Sequence, residues 1–196
     1  MRAALTAASM IVASILLLGQ TLASHKTAAT GAPGQNSSAW VTVASMPTSR
    51  LLLAAASDEN GRVYAMGGYN GDYEWRGEVA YLGTTEMYDP STQQWSTVAG
   101  MNYARSSFAA TRGLDGRIYA IGGLVRGGTY FSHVPNIEAY DPAQNSWTVI
   151  TYMPRPRFGL GATTGLDGRI YIVGGSENGY PWGQPADSVD TVDAYD

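Results

Sequence analysis

Asp115-Gly116-Arg117-Ile118-Tyr119-Ala120-Ile121-Gly122-Gly123 is the middle one of three closely similar stretches in this chain. The earlier copy reads Asn60-Gly61-Arg62-Val63-Tyr64-Ala65-Met66-Gly67-Gly68, and the later one Asp167-Gly168-Arg169-Ile170-Tyr171-Ile172-Val173-Gly174-Gly175. The copies stand 55 and then 52 residues apart, a period that marks a repeat architecture. Each sets an Asp-Gly or Asn-Gly pair before a short β-branched and aromatic run, which reads as a tight hairpin entering a buried strand. A two-residue connection is expected, with positive φ at both central residues.

Working outward, the same period organises the rest of the unit. Arg50, Arg105 and Arg157 each open a first strand of small residues, spanning 51–56 in the first copy. The second strand is Val63–Met66, Ile118–Ile121 or Ile170–Val173. A third ends in Glu86-Met87-Tyr88-Asp89-Pro90, Glu138-Ala139-Tyr140-Asp141-Pro142 or Asp193-Ala194-Tyr195-Asp196. Asp-Pro then turns the chain, because Pro fixes φ and the Asp side chain bonds backbone two residues on. A fourth strand opens with Trp95 or Trp147 and runs to Met101 or to Met153-Pro154. The double glycine ends the second strand where a side chain would collide or where φ must be positive.

The double glycine, the acidic-x-Tyr-Asp-Pro stretch, the Trp and the Met-Pro-x-x-Arg segment together resemble the kelch motif. The resemblance covers residues 40–196 and implies an all-β fold of kelch-type β-propeller blades, each a four-stranded antiparallel sheet. Radially repeated four-stranded sheets are also the class that the periodicity itself points to. About three blades are expected, in an incomplete ring. Residues 40–47 read as an orphan outer strand, 50–101 as a first blade, 105–153 as a second, and 157–196 as a third lacking its outer strand. Propellers typically have 4–8 blades. The chain is therefore read either as a piece of a longer ring or as a half-ring. In the half-ring, the Trp40 strand of each copy finishes the last blade of the other. Unpaired blade edges favour self-association in either case.

The N-terminal residues read differently. Arg2, the apolar stretch 10–19 and Thr21-Leu22-Ala23 form a secretory signal, residues 1–23, with cleavage after Ala23. Residues 3–18 are too short and too rich in Ala, Thr and Ser for a span, which needs roughly 20 mostly apolar residues. A membrane contact is expected only through this segment if it stays uncleaved. Residues 24–39 are small and polar, a flexible linker. The expected location is secreted, extracellular or periplasmic.

Composition removes several classes of function. The chain has no cysteine, so it has no disulfide, thiolate metal site or cysteine nucleophile. Its net charge of −4 comes with no basic cluster, which argues against a nucleic-acid partner. No Gly-x-Ser-x-Gly elbow, zinc spacing or phosphate loop occurs, so no catalytic residue, metal or cofactor is assigned. Kelch-type copper oxidases resembling galactose oxidase need two histidines and a Cys–Tyr cross-link. This chain has no Cys and only His133 within its repeats.

In such a meander the connections after the second and fourth strands share one face of the disc. The connections after the second strand are long and hold Tyr73, Trp75, Arg76, Tyr130, Phe131, His133, Tyr180 and Trp182. Arg50, Arg105 and Arg157 start on the same side. Aromatic and Arg side chains on loops over a rigid scaffold are what a ligand-binding face contains, and these eleven residues are its candidates. A structural role competes for the three arginines: bonding backbone carbonyls between blades. The opposite face, with its short turns, is expected to be plain. The reading is an exported binding or scaffold module for a protein or carbohydrate ligand. The alternative, implied by resemblance, is part of a carbohydrate-active kelch enzyme such as a sialic acid mutarotase.

Overall fold

The computed structural model describes residues 40–71, 80–127, 130–178 and 187–196, with the side chains of 126, 127 and 130 excepted. The chain divides into two units, Met1–Val41 and Thr42–Asp196. The signal segment and most of the linker lie outside the described residues, and everything below concerns the second unit.

No helix occurs among the described residues; the unit is built of antiparallel strands. β1 (Ala54–Ser57), β2 (Val63–Met66), β5 (Thr85–Asp89) and β6 (Gln94–Val98) form one sheet in the order β1-β2-β5-β6. β7 (Ala109–Arg112), β8 (Ile118–Ile121), β11 (Asn136–Asp141) and β12 (Ser146–Tyr152) repeat that order in a second sheet. β13 (Gly161–Thr164), β14 (Ile170–Val173) and β17 (Val192–Tyr195) form the third. These sheets are blades 1, 2 and 3. The β-branched and aromatic run sits second in each sheet, with a neighbour on either side. In blade 2 all four of its residues are buried.

The apolar core lies between blades. Ala54, Tyr64 and Met66 of blade 1 pack against Phe108, Ile118, Ala120, Tyr140 and Trp147 of blade 2. Ala109, Tyr119, Ile121, Ile137 and Ala139 of blade 2 pack against Leu160, Ile170 and Ile172 of blade 3. Each blade therefore buries both faces only when it has a neighbour on each side.

The double glycines are the hinges of these joints. The Gly68 N–H donates to the Arg105 carbonyl of the next blade at 2.8 Å, and the Gly123 N–H to the Arg157 carbonyl at 2.8 Å. A Cβ on Gly67 would lie 2.6 Å from the Arg105 oxygen, and one on Gly122 would lie 2.5 Å from the Arg157 oxygen. Both glycines also have positive φ, so neither space nor backbone admits another residue.

The short hairpins differ from expectation. Only the glycine of each pair has positive φ: Gly61 (76°), Gly116 (84°) and Gly168 (90°). The Gly116 N–H donates to the Gly113 carbonyl, and the Gly113 N–H to the Arg117 carbonyl. The connection is thus a three-residue loop, a type I turn followed by a left-handed glycine, and only one residue needs the special conformation. The Asp of the pair has a second task. The Asp115 carboxylate accepts from Tyr119 Oη at 2.8 Å and Arg117 Nε at 2.5 Å, and Asp167 accepts from Tyr171 Oη at 2.6 Å. In the first copy, where Asn60 replaces Asp, Asp58 supplies the carboxylate from two residues upstream. It accepts from Tyr64 Oη at 3.0 Å and Arg62 Nε at 2.6 Å.

The expected outer strand over 40–47 is not formed as a strand among its described residues. Strand pairing needs a neighbour, and no described third strand lies beside this segment. Its end is nevertheless held in register. The Trp95 indole N–H donates to the Ala44 carbonyl at 2.8 Å, as the Trp147 indole donates to Ala99 at 2.9 Å.

Candidate functional site

The long connections after the second strands are not irregular loops. Each forms a two-stranded ribbon on the end of its blade: β3 (Tyr69–Asn70) with β4 (Ala80–Tyr81), β9 (Leu124–Gly127) with β10 (Tyr130–His133), and β15 (Ser176–Asn178) with β16 (Asp187–Ser188). The second ribbon had a readable signal. Gly127-Gly128 lies between the β-forming residues Leu124-Val125 and Tyr130-Phe131, the composition of a hairpin. Each ribbon is tied at its base to the segment entering the first strand of its blade, by the bridges Leu51–Tyr69, Ser106–Leu124 and Phe158–Ser176. Ribbons and entry segments therefore share one face, built on buried pivots at Tyr69, Leu124 and Ser176.

Beneath that face lie the three repeated arginines, and they are inside the protein. The side chains of Arg50, Arg105 and Arg157 have no solvent exposure. Arg50 Nη1 donates to the Gly67 carbonyl at 2.9 Å and the Thr84 carbonyl at 3.1 Å. Arg105 Nη1 donates to Gly122 at 3.1 Å and Asn136 at 2.8 Å. Arg157 Nη1 donates to Gly174 at 3.1 Å and to Thr191 Oγ1 at 2.9 Å. Each guanidinium also meets the acidic residue of its own third strand. Arg50 lies 3.1 Å from Glu86, Arg105 lies 2.5 Å from Glu138, and Arg157 pairs with Asp193. Burial pulls the Arg105 guanidinium below its ordinary pKa, and the Glu138 charge opposes that pull.

This arrangement clamps the first three strands of a blade together at the ribbon end. The acidic partners belong to the repeated acidic-x-Tyr-Asp stretch of the third strand. Their signal is a constant chemical type 33 to 36 residues after each Arg. As ligand contacts the three arginines are unsuited, because their side chains are buried and their Nη groups face backbone and carboxylate within the blade.

The other candidates divide by position. Phe131 and His133 lie on β10, on the ribbon face, with Tyr130 opening that strand. The His133 ring packs 5.7 Å from the Phe158 ring of the next blade, so this ribbon leans on its neighbour. Burial lowers the His133 pKa and favours the neutral ring. Tyr73, Trp75, Arg76, Tyr180 and Trp182 lie outside the described residues. On the same face, Ser49, Arg50, Leu51, Tyr69, Asn70 and Gly71 line a cavity of about 460 Å³.

The opposite face is not plain. A larger cavity of about 610 Å³ opens between the short hairpins of blades 1 and 2 and the turn after β11. Its walls include Asp58, Arg62, Asp115, Arg117 and Asp141. The charges there are largely satisfied by one another, as in the Arg62–Asp58 and Arg117–Asp115 pairs. Burial and the Asp115 hydrogen bond push the Tyr119 hydroxyl up to about 12. Burial and Asp58 push Tyr64 further in the same direction. These phenols are fixed as proton donors to their carboxylates. Among the described residues no group of three or more His, Cys, Asp or Glu is placed to hold a metal ion.

Repeated four-stranded sheets, joined face to face and carrying ribbons on one end, define a β-propeller blade array. Comparison with known proteins gives the family. The kelch motif matches twice, over residues 60–102 and 105–154, and the chain belongs to the kelch-repeat family. Beta-scruin of Limulus polyphemus is 34% identical over 121 residues, 62% of this chain and 13% of that protein. Kelch-like protein terF of Aspergillus terreus is 31% identical over 177 residues, 85% of this chain and 36% of that protein. Kelch-like ECH-associated protein 1B of Danio rerio is 35% identical over 118 residues, 58% of this chain and 18% of that protein. The chain thus spans well under two thirds of the length of each of these relatives.

Proposed function

We propose that the chain is an exported protein-binding scaffold whose ligand face is the ribbon face. The observation that carries this reading is the anchoring of three β-ribbons on one end of the blades, each bridged at its base and underlain by a buried Arg–acid clamp. A rigid base carrying variable ribbons suits recognition of an extended protein surface. Family membership supports the same reading, and one relative is named for its association with another protein. The N-terminal residue pattern supports export to a secreted or periplasmic location.

An acidic-sugar ligand has weaker support. Its carboxylate would call for a free guanidinium, and Arg50, Arg105 and Arg157 are engaged inside the blades. The test shortens the blade 2 ribbon, replacing residues 126–131 by Asn-Gly and keeping the Val125–Ser132 pair. The expected result is an unchanged unfolding transition with loss of binding to a protein captured by the unaltered chain. Undiminished binding by the folded variant would move the ligand face elsewhere.

A further inference from the structure

Where each ribbon returns to its blade, one bond recurs. The N–H groups of Leu82, Val134 and Val189 donate to the carbonyls of Gly68, Gly123 and Gly175 at 2.9, 2.9 and 3.0 Å. The residues just before them, Tyr81, His133 and Ser188, therefore hold the same position of the repeat. Their surroundings differ. The Tyr81 ring lies 6.1 Å from the Tyr69 ring, across its own ribbon. The His133 ring reaches out of its ribbon to Phe158 of the next blade, with centroids 5.7 Å apart and planes at 38°. Ser188 has no ring. Of the three, only His133 changes charge near neutral pH.

The contact suits a neutral ring. His133 is half-buried, and its Nε2 atom is fully buried with no hydrogen-bond partner among the described residues. A neutral imidazole meets this by keeping its one proton on Nδ1. An imidazolium carries protons on both nitrogens, so a charged Nε2–H donor would be stranded in the joint. By register, the β9 residues on the His133 side of the ribbon are Leu124, opposite it, and Arg126, opposite Phe131. Blade 3 contributes the buried Phe158, bridged to Ser176. The charged residues beside those two are engaged elsewhere, Arg157 with Asp193 and Glu177 with Arg155 at 3.7 Å. Burial is the one cause that lowers the His133 pKa, and no described carboxylate opposes it. The contact therefore contributes stability that is complete above the ordinary histidine value of about 6.5. That stability is lost as pH falls through the lowered value.

We propose that His133 is an acid-operated latch, holding the blade 2 ribbon against blade 3 at neutral pH and releasing it when the ring is protonated. The base of the ribbon stays closed, because the Ser106–Leu124 bridge and the Val134-to-Gly123 bond are made by backbone that does not titrate. Only the part beyond them swings. Release of a bound protein in acid rests on the ribbon face being the ligand face, whereas the latch itself rests on the ribbon geometry.

Amide hydrogen exchange on the full chain, with no ligand added, supplies the test. Rates are corrected for the intrinsic pH dependence of exchange and referred to β8. From about pH 7.5 to about pH 5, the amides of β9 and β10 should then lose about tenfold in protection. His133→Phe keeps a ring against Phe158 and cannot titrate, so its ribbon should stay protected at both pH values. The wild-type imidazole signal that disappears in this variant should titrate below about 6.5. Titration at the ordinary value would overturn the proposal. So would constant ribbon protection in wild type, or the same loss of protection in His133→Phe. Because no ligand takes part, failure here leaves the binding face untouched, and failure to find a ligand leaves the latch standing.

Discussion

Arg105 Nη2 lies 2.5 Å from Glu138 Oε1, and neither side chain has any solvent exposure. The Glu138 carboxylate also accepts from the backbone N–H groups of Asn102 and Tyr103, so one buried group ties the segment entering blade 2 to β11. Removing one member of a buried pair strands the other charge, at a cost of roughly 3–5 kcal/mol. Glu138→Ala is expected to lose stability on that scale in chemical denaturation. Asp193→Ala removes the equivalent partner of Arg157, but Asp193 is 30% exposed and water can replace it. A smaller loss is expected there.

The glycines of the repeat separate into two kinds. Gly122→Ala puts a Cβ 2.5 Å from the Arg157 carbonyl at a left-handed position, whereas Gly116→Ala meets nothing within 4 Å. Overpacking adds to backbone strain in the first case, for a loss of about 3 kcal/mol or more. The second should cost about 1–2 kcal/mol, from φ alone. Gly174 has only the Val189 oxygen within 4 Å, at 3.4 Å, and should behave like Gly116. Thermal unfolding of the three variants distinguishes a joint glycine from a turn glycine.

Asn145 and Gln93 both have positive φ, at 49° and 58°, in the turns before the Trp strands. The Asn145 side-chain oxygen accepts from the Ala99 N–H and the Tyr140 hydroxyl at 2.8 and 2.9 Å. Asn145→Ala leaves both donors without that acceptor and should cost about 1–3 kcal/mol. Gln93 is exposed, so Gln93→Gly relieves strain with nothing to lose and should stabilise by about 0.5 kcal/mol. Urea titrations of the two variants should move in opposite directions.

Alkaline pH should weaken the fold through the hairpin tyrosines. The Tyr119 pKa is raised to about 12, first by burial and then by its hydrogen bond to Asp115. The folded state therefore holds a proton that the unfolded chain releases near pH 10. The associated stability is complete below pH 10 and is lost as pH rises through about 12. Tyr119→Phe should flatten the fall in unfolding midpoint over that interval. An identical slope in wild type and variant would remove Tyr119 from the account.

What could be read from the sequence was whatever repeats within one unit. The Ile118–Ile121 strand, the turn at Asp141-Pro142 and the Gly122-Gly123 hinge each depend on neighbours close in the chain. Contacts between distant segments were harder to see. The Arg105–Glu138 pair spans 33 residues, and nothing local to Arg105 distinguishes a clamp from a ligand contact. Asn60 looked like a simple departure from the repeat until Asp58 was found holding Tyr64 in its place. The ribbons were missed because two-residue strands such as Tyr69–Asn70 are too short for an alternating pattern. The cavity at Asp58 and Asp115 arises between blades, where no single repeat records it.

The claim that binding belongs to the ribbon face is tested most directly by a photo-activated cross-linker placed at one of two exposed positions. Ser132 lies on β10 of the ribbon face, and Leu166 lies at the tip of the blade 3 hairpin on the opposite side. Activated in cultures of the producing organism, the chain labelled at Ser132 is predicted to form a discrete protein adduct, and the chain labelled at Leu166 none. Adducts from Leu166 alone would contradict the account.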